Sequence, residues 1–434
     1  MHLRADVGAA TWRRRMAATS TDSPPKSPST KGPTSDAKSK AKSKSKKASG
    51  KKNTGARMRH VFLTGYPGFI GKNLAKRVLI QRPSTKLTLL VQEKFRADAE
   101  AYVRELPATH QRRVRILSGD VAKMDLGLSG PEIDHLCETV THVFHLAALH
   151  YLGVSEDDAE RVNVGGTRNM LMLAQEFKQL QRFVHFSTCY VSGDRIGVIT
   201  EEDLDEGQGF RNHYERTKYQ AEKAVQAASS QVPVTVLRPA IVVGDSQTGE
   251  IDRFDGIYNM GMLIVTSPVS VPLPLPGDGV APLNLVPVDF VTKAAATLAE
   301  DPRAVGKTFH LSDPNPLSSR KVYELIAAKA GKKLSKVRIN YGVAKRLLRA
   351  PVVKRFAKSQ AQAVDYLNHL AIYNSTNTLA LLEGTGIMCP PITSYVDKLM
   401  DYVMEQRRAH RPGGTKKRRT RGKNREVDPL DDNG

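Results

Sequence analysis

From residue 59 onward, short apolar runs alternate with longer stretches in which apolar residues recur at helical spacing. Arg59–Thr64 reads as a first strand. A glycine cluster follows, and then Leu74, Val78 and Leu79 mark one face of a helix that starts around Phe69. Lys86–Val91, Val114–Leu117, Thr141–Leu146, Arg182–Phe186 and Val234–Leu237 read as five further strands. Arg161–Phe177 and Tyr214–Ala228 read as helices between them. Strands in alternation with helices predict an α/β fold, a doubly wound parallel sheet covered on both faces. No internal repeat interrupts the pattern.

Charge separates this core from its ends. The 434 residues carry 66 Lys+Arg and 44 Asp+Glu, a net +22. Residues 1–56 hold 14 basic and 3 acidic residues, and 407–434 hold 10 and 4, so 57–406 keeps only +5. Residues 17–56 are Ser, Lys, Pro, Ala and Thr in bulk. They have too little apolar surface to offset the entropy of ordering, so a disordered basic tail is expected. The same holds for TKKRRTRGKNR near the C-terminus. The domains expected are therefore tail 1–56, one α/β domain 57–406 with a small C-terminal lobe (mainly 245–285 and 312–400), and tail 407–434.

The tails suit weak contact with an anionic membrane or a nucleic acid. Solvated arms have the same composition, and a start at Met16 would remove part of the first. No aromatic residue is interleaved in the C-terminal tail, so base stacking is absent. No apolar core follows Arg13–Arg15, which speaks against a signal peptide, while an Arg-rich, acid-poor start is compatible with a transit peptide. No apolar run reaches the 18 or so residues of a membrane span. Three cysteines (137, 189, 389) stand far apart without a CxxC pair, which argues against a disulfide scaffold and a zinc site. The expected location is cytoplasmic, with peripheral attachment at a membrane surface open.

The first strand runs into Thr64-Gly65-Tyr66-Pro67-Gly68-Phe69-Ile70-Gly71, a GxxGxxG turn at the mouth of the first helix. Glycine permits the tight turn and lets backbone N–H groups reach a pyrophosphate at the helix N-terminus. The residue ending the second strand reads the cofactor ribose. Gln92 at that place is neutral, and Lys94 or Arg96 could meet a 2′-phosphate, which favours NADP(H). If the strand runs one residue further, Glu93 takes the place and NAD is favoured. Tyr214-Glu-Arg-Thr-Lys218 puts a phenol and an ammonium on one helical face. The ammonium is expected to lower the phenol pKa from about 10 so that Tyr214 can exchange a proton. His145 and His185 read as buried, hydrogen-bonded strand histidines, and no metal-ligand cluster is visible.

The order of these features resembles the extended branch of the short-chain dehydrogenase/reductase superfamily, with its Rossmann-type sheet. Ser118-Gly119-Asp120-Val121 is similar to that family's adenine-contacting segment. His145-Leu146-Ala147-Ala148 is similar to the segment packed under the cofactor, and Asn163-Val164-Gly165-Gly166-Thr167 to its Asn-Val-x-Gly-Thr helix. Arg238-Pro239 falls where the family lines the nicotinamide. The resemblance implies cofactor contacts from Gly65, Tyr66, Gly68, Phe69, Ile70, Gly71, Gln92, Lys94, Asp120, Val121, Leu146, Ala147, Ala148, Asn163, Tyr214, Lys218, Pro239 and Ile241. It implies a catalytic set of Thr188, Tyr214 and Lys218, with Ser187 in place of Thr188 if the register slips by one. Asn163 either holds a water or loop near Lys218, or bonds within its helix. Cys189 is expected to be packing.

The Gly244-Asp245…Thr248-Gly249…Asp255-Gly256 run and Phe69 resemble the thioester reductase and fatty acyl-CoA reductase subgroup, the male sterility NAD-binding group. So do Asn374…Asn377-Thr378-Leu379, Gly384-Thr385-Gly386-Ile387 and Pro390. That resemblance implies NAD(P)H-dependent reduction of an acyl-CoA or carrier-bound thioester to aldehyde or alcohol, and a homodimer formed through the helices of Asn163 and Tyr214. Residues 260–288 are apolar and Pro-rich and could wall an acyl pocket or form an ordinary crossing. Residues 343–358 hold six Lys/Arg and no acid, suited to an anionic surface, a CoA phosphate or plain solvent. Alternatives on the same fold are a nucleotide-sugar epimerase or dehydratase and a 3β-hydroxysteroid-type dehydrogenase. Non-enzymatic alternatives are a nucleotide sensor and an anionic-surface binder.

Overall fold

The computed structural model describes residues 59–151, 153–252, 278–332, Tyr366 and 368–409, and the backbone of 273–276 and 334–339. Both predicted tails up to 56 and beyond 409, residues 260–272 and 277 of the apolar stretch 260–288, and 343–358 lie outside the described residues.

The strands in chain order are β1 (His60–Thr64), β2 (Lys86–Val91), β3 (Val114–Ser118), β4 (His142–His145), β5 (Arg182–Phe186), β6 (Gly197–Ile199) and β7 (Val234–Pro239). They continue with β8 (Ile241–Val243), β9 (Leu273–Pro276), β10 (Leu285–Pro287), β11 (Thr308–Leu311), β12 (Leu334–Ile339) and β13 (Ala371–Tyr373). The main helices are α1 (Phe69–Gln81), α2 (Arg96–Arg104), α3 (Gly130–Thr139), α4 (Gly166–Gln175) and α5 (His213–Ala227). After them come α6 (Val288–Leu298), α7 (Ser319–Lys329), α8 (Thr376–Leu382) and α9 (Val396–Ala409). The last helix extends three residues into the stretch expected to be tail.

Seven strands form one parallel Rossmann-type sheet in the order β11-β7-β5-β4-β1-β2-β3. Its central strands, such as β1 and β5, are apolar on both sides because both faces are covered. In β1, Val61 and Leu63 face one core with α1 and α6, and Phe62 faces the other with α3 and α4. In β5, Val184 and Phe186 divide from Phe183 in the same way. Each such side chain, fully buried, contributes about 1.5–3 kcal/mol. A third cluster joins Leu283 and Leu285 to α7 and α9.

The strand order reverses between β1 and β4, and the cleft outside their carboxyl ends is where open α/β sheets take ligands. The remaining strands form three parallel pairs, β6 with β13, β8 with β10 and β9 with β12.

Three features differ from the sequence expectation. The helix expected over 161–177 is a short helix Glu156–Ala159, a widened turn Glu160–Gly165 and then α4. Asn163 sits on that widened turn, with its carboxamide bonded outside the helix. The second is a seventh sheet strand, β11, that pairs with β7. It has four residues and two of them, Thr308 and His310, are polar, so it carries no apolar signature. It is buried because its polar groups are met by tertiary partners. The third is His185, which is fully buried on β5 but has no hydrogen-bond partner among the described residues. Its ring stacks on His145 at 5.6 Å.

Candidate active site

The glycine turn is built by steric necessity at its first position. Gly65 has φ +83°, and a Cβ there would lie 2.8 Å from the Leu146 carbonyl carbon and 2.9 Å from the Ala147 nitrogen. The ends of β1 and β4 therefore touch backbone to backbone. Thr64 completes the contact, since its Oγ1 accepts from the N–H groups of Leu146 and Ala147 at 3.2 Å each. Ala148 follows them, half-buried. A Cβ on Gly71 would meet the Gly65 carbonyl oxygen at 2.5 Å, so α1 packs directly on the turn. Gly68 caps α1 without a side-chain bond, and its first turn holds no acidic residue. The first-turn N–H groups, next to Phe69 and Ile70, lack intrahelical acceptors and favour an anion. Tyr66 is buried beside them. A dinucleotide pyrophosphate fits this turn in charge and in space. Gly65→Ala is expected to weaken NADPH binding at least about tenfold, because the strained φ and the sub-3 Å contacts both oppose the native turn. Fluorescence titration with NADPH checks this, and wild-type affinity in the variant would show that the turn does not hold the cofactor.

At the next strand end, β2 stops at Val91 and Gln92 follows it, half-buried. Glu93 and Arg96 converge on the end of β3. Ser118 Oγ donates to Glu93 Oε2 at 2.6 Å and accepts from an Arg96 NH at 2.7 Å. Lys94 is exposed, with its Nζ 5.2 Å from the Phe95 ring centre. Asp120 Oδ1 accepts from the Ala122 N–H at 2.9 Å, and Val121 packs where a Cβ on Gly166 would lie 2.8 Å away.

The YxxxK helix is α5. Asn212 caps it, accepting from the Glu215 N–H at 2.9 Å. Tyr214 and Lys218, one turn apart, face the carboxyl end of β5. There the Thr188 hydroxyl lies beside the Tyr214 phenol, close enough to favour its ionised form. Thr188 Oγ1 also accepts from the Tyr190 N–H at 3.2 Å, which orients it. Ser187 points elsewhere and donates to the buried Glu222 carboxylate. The geometry thus pairs Thr188, and not Ser187, with the phenol.

Lys218 does not do what its spacing suggested. Its Nζ donates to the Phe186 carbonyl at 2.7 Å. Burial pushes its pKa down to about 8, opposed by the Glu222 carboxylate one turn on. Burial pushes Tyr214 up to about 12, and only the Thr188 hydroxyl works against it. The expected lowering of the phenol pKa by the ammonium is therefore not found: the ammonium is spent on a backbone carbonyl, and desolvation dominates. A phenol held at about 12 stays protonated at neutral pH and is set up to give a proton.

Asn163 holds the loop. Its Oδ1 accepts from the Leu149 N–H at 2.7 Å, and its Nδ2 donates to the Leu149 carbonyl at 3.1 Å and Thr217 Oγ1 at 3.0 Å. It ties the segment after β4 to α5. Pro239 is buried at the end of β7 and Ile241 is half-buried in β8. His145 is buried between Thr64 Oγ1 (2.9 Å) and Thr167 Oγ1 (3.1 Å), and burial holds it neutral with a pKa of about 3. Cys189 donates to the Arg238 carbonyl at 3.1 Å, and burial raises its thiol well above the ordinary range, which suits packing. Among the described residues no group of His, Cys, Asp or Glu is placed to hold a metal ion.

Sequence reasoning missed the buried charges behind the site. Arg238, 1% exposed, pairs with Glu222, 0% exposed, at 2.6 Å. Arg238 also contacts His310 Nε2 at 3.2 Å, and Glu201 accepts from the His310 N–H at 2.8 Å and Thr378 Oγ1 at 2.8 Å. Glu222 lies i+4 from Lys218, a spacing that was visible, but nothing in the sequence marks its partner sixteen residues on.

Fold and site define a class, a Rossmann-type dinucleotide-binding domain with a Thr–Tyr–Lys set at the sheet's open end. Within it, the chain belongs to the NAD-binding male sterility protein family, whose pattern matches residues 63–295. It is 29% identical over 279 residues to the fatty acyl-CoA reductase wat of Drosophila melanogaster, covering 56% of this chain and 54% of that protein. It is 26% identical to a linear gramicidin synthase polypeptide of Brevibacillus parabrevis over 80% of this chain and 7% of that one. The chain spans about half the length of the fatty acyl-CoA reductases it matches. The crystal structure of the terminal R domain of the myxalamid PKS-NRPS pathway superposes with a TM-score of 0.70 at 26% identity, covering 82% of this chain and 93% of that one. A UDP-glucuronic acid 4-epimerase from Bacillus cereus reaches 0.57 at 17% identity, covering 80% and 97%, a likeness of fold alone.

Proposed function

We propose that the chain is an NAD(P)H-dependent reductase that takes an acyl thioester, on coenzyme A or a carrier, to the aldehyde. The observation that carries this reading is the Thr188 hydroxyl beside the Tyr214 phenol, one helical turn from a buried Lys218, in a chain of this family. The fatty acyl-CoA reductases and the R domain named above support the thioester as substrate. The bound nicotinamide would supply hydride to the thioester carbon. Thr188 would hold the carbonyl oxygen, and Tyr214 would give it a proton. Lys218 would keep a positive charge beneath the site and hold the ribose. The resulting hemithioacetal expels the thiol to leave an aldehyde. Gly65, Gly68 and Gly71 would cradle the pyrophosphate.

Within this reading the cofactor is NADP(H). Arg96, braced on Ser118 at the ends of β2 and β3, supports a 2′-phosphate contact better than Lys94 does. Glu93 on the same serine gives NAD(H) its argument, so both cofactors belong in the assay.

The test mixes the full chain with NADPH or NADH and a long-chain acyl-CoA and follows cofactor oxidation together with free thiol. The expected result is thiol release matched to NADPH loss. Cofactor binding without turnover would remove acyl-CoA from the reading and direct the search to carrier-bound acyl groups and nucleotide sugars.

The rate should also report Lys218. Its ammonium is charged below about pH 8 and lost above it. Tyr214 stays protonated across that range, so the alkaline limb belongs to the lysine. Turnover at saturating NADPH is expected to fall with a midpoint near 8. A profile flat to about pH 9.5 would show that the lysine charge does not assist the step.

A further inference from the structure

The residue beside the proton donor carries a buried carboxylate that the chemistry above does not use. Glu215 is 0% exposed at the first turn of α5. Its Oε2 accepts from the Arg211 N–H at 3.0 Å, and its Oε1 lies 3.4 Å from the Arg211 guanidinium. That oxygen also accepts from the Tyr366 hydroxyl at 2.6 Å. The Tyr366 oxygen in turn accepts from Asn212 Nδ2 at 2.8 Å. Both hydrogen-bonding capacities of one phenol from the C-terminal lobe are thus met by the cap and first turn of the helix that bears Tyr214.

The other side of Tyr366 meets the loop that bears Thr188. Its ring stands edge-on to Tyr190 at 4.8 Å, and the Tyr190 N–H is the donor that orients Thr188. Arg211 closes the circuit. One guanidinium nitrogen donates to the Gly193 carbonyl at 2.5 Å, and the other lies 2.7 Å from His369 Nδ1. Burying a carboxylate costs several kcal/mol unless it is paired and bonded, and an exposed acid would serve the helix N-terminus as well. The burial is explained by the juxtaposition it secures.

We infer that Glu215 and Tyr366 are positioning residues that clamp the Thr188–Gly193 loop to the first turn of the Tyr214 helix, so that the hydroxyl pair is set by the C-terminal lobe. The inference deepens the reductase reading and rests on it for its catalytic consequence. The clamp itself does not need that reading.

The experiment uses the full chain with Tyr366→Phe and Glu215→Gln. Tyr366→Phe keeps the ring against Tyr190 and removes only the bridging hydroxyl. Hydrogen exchange is followed in a peptide covering 188–193 and in one covering β1, and turnover is measured with NADPH and acyl-CoA. Exchange over 188–193 should rise about tenfold in both variants, the loss expected of a bond to a charged group, with β1 unchanged. The kcat should fall by a similar factor while KM for NADPH holds. A structural role alone would leave the kcat-to-KM split unmoved or raise exchange in β1 as well. Unchanged exchange over 188–193 in Tyr366→Phe overturns the clamp, and faster exchange with wild-type kcat overturns its part in setting the hydroxyl pair. If the wild-type chain does not turn over acyl-CoA, the substrate reading fails, and the exchange of the two variants still decides the clamp.

Discussion

Replacing Tyr214 by phenylalanine is expected to lower thioester reduction about 10²- to 10⁴-fold, the usual worth of a positioned general acid. The ring stays in its place on α5 and the fold is preserved, since the phenol oxygen faces Thr188 and ties no strand of the sheet. NADPH affinity should change by less than about threefold, because the glycine turn and Lys218 remain. The loss belongs to kcat, the mark of an interaction made in the transition state. Single-turnover measurement separates it from product release. Thr188→Val should cost less, since it removes the oxygen's second donor and leaves the proton source. A Tyr214→Phe variant that keeps more than a tenth of wild-type turnover would place proton donation on another group, and the high phenol pKa of about 12 would then be a consequence of burial alone.

The second large effect lies beneath the site. Glu222→Ala leaves the Arg238 guanidinium buried and unpaired at 1% exposure. Breaking a buried pair on one side costs roughly 3–5 kcal/mol, a fall in Tm on the order of 10 °C for a domain of this size. Thermal unfolding with and without the variant measures it. Replacing both partners, as in Glu222→Leu with Arg238→Met, should recover part of the loss, because two apolar groups no longer require each other. The single variant also has a catalytic signature. The Glu222 carboxylate raises the pKa of Lys218 against burial. Without it the ammonium loses its proton earlier, so the alkaline limb near pH 8 should move to lower pH. Destabilisation of less than about 1 kcal/mol, with the limb unmoved, would show that solvent reaches Arg238 and that the pair supports neither fold nor lysine.

These two effects differ in how visible they were. Tyr214 and Lys218 stand at helical spacing, and the family resemblance placed Thr188 after an apolar strand with Ser187 as its alternative, so order along the chain was enough to nominate them. Glu222 was equally local to Lys218, but its partner Arg238 is on the following strand β7, and His310 and Glu201 come from elements far apart in sequence. The strand β11 was illegible for the same reason. Its polar positions are buried only because that network receives them, and a pattern of apolar residues cannot announce a strand whose burial depends on distant partners. Tyr366 is a further case: nothing around it in sequence connects it with Tyr190 or Glu215.

By itself the sequence determined the parallel sheet, the glycine turn at its first strand and the one-turn spacing of a phenol and an ammonium. Those features are fixed by periodicity, by backbone sterics at Gly65 and by residue type, all of which are local. The tertiary structure alone decided which serine or threonine meets the phenol, that Lys218 binds the Phe186 carbonyl, and that burial raises the Tyr214 pKa. Desolvation and hydrogen-bond competition depend on what surrounds a group from every side. A chain of residue types specifies those surroundings only after it has folded.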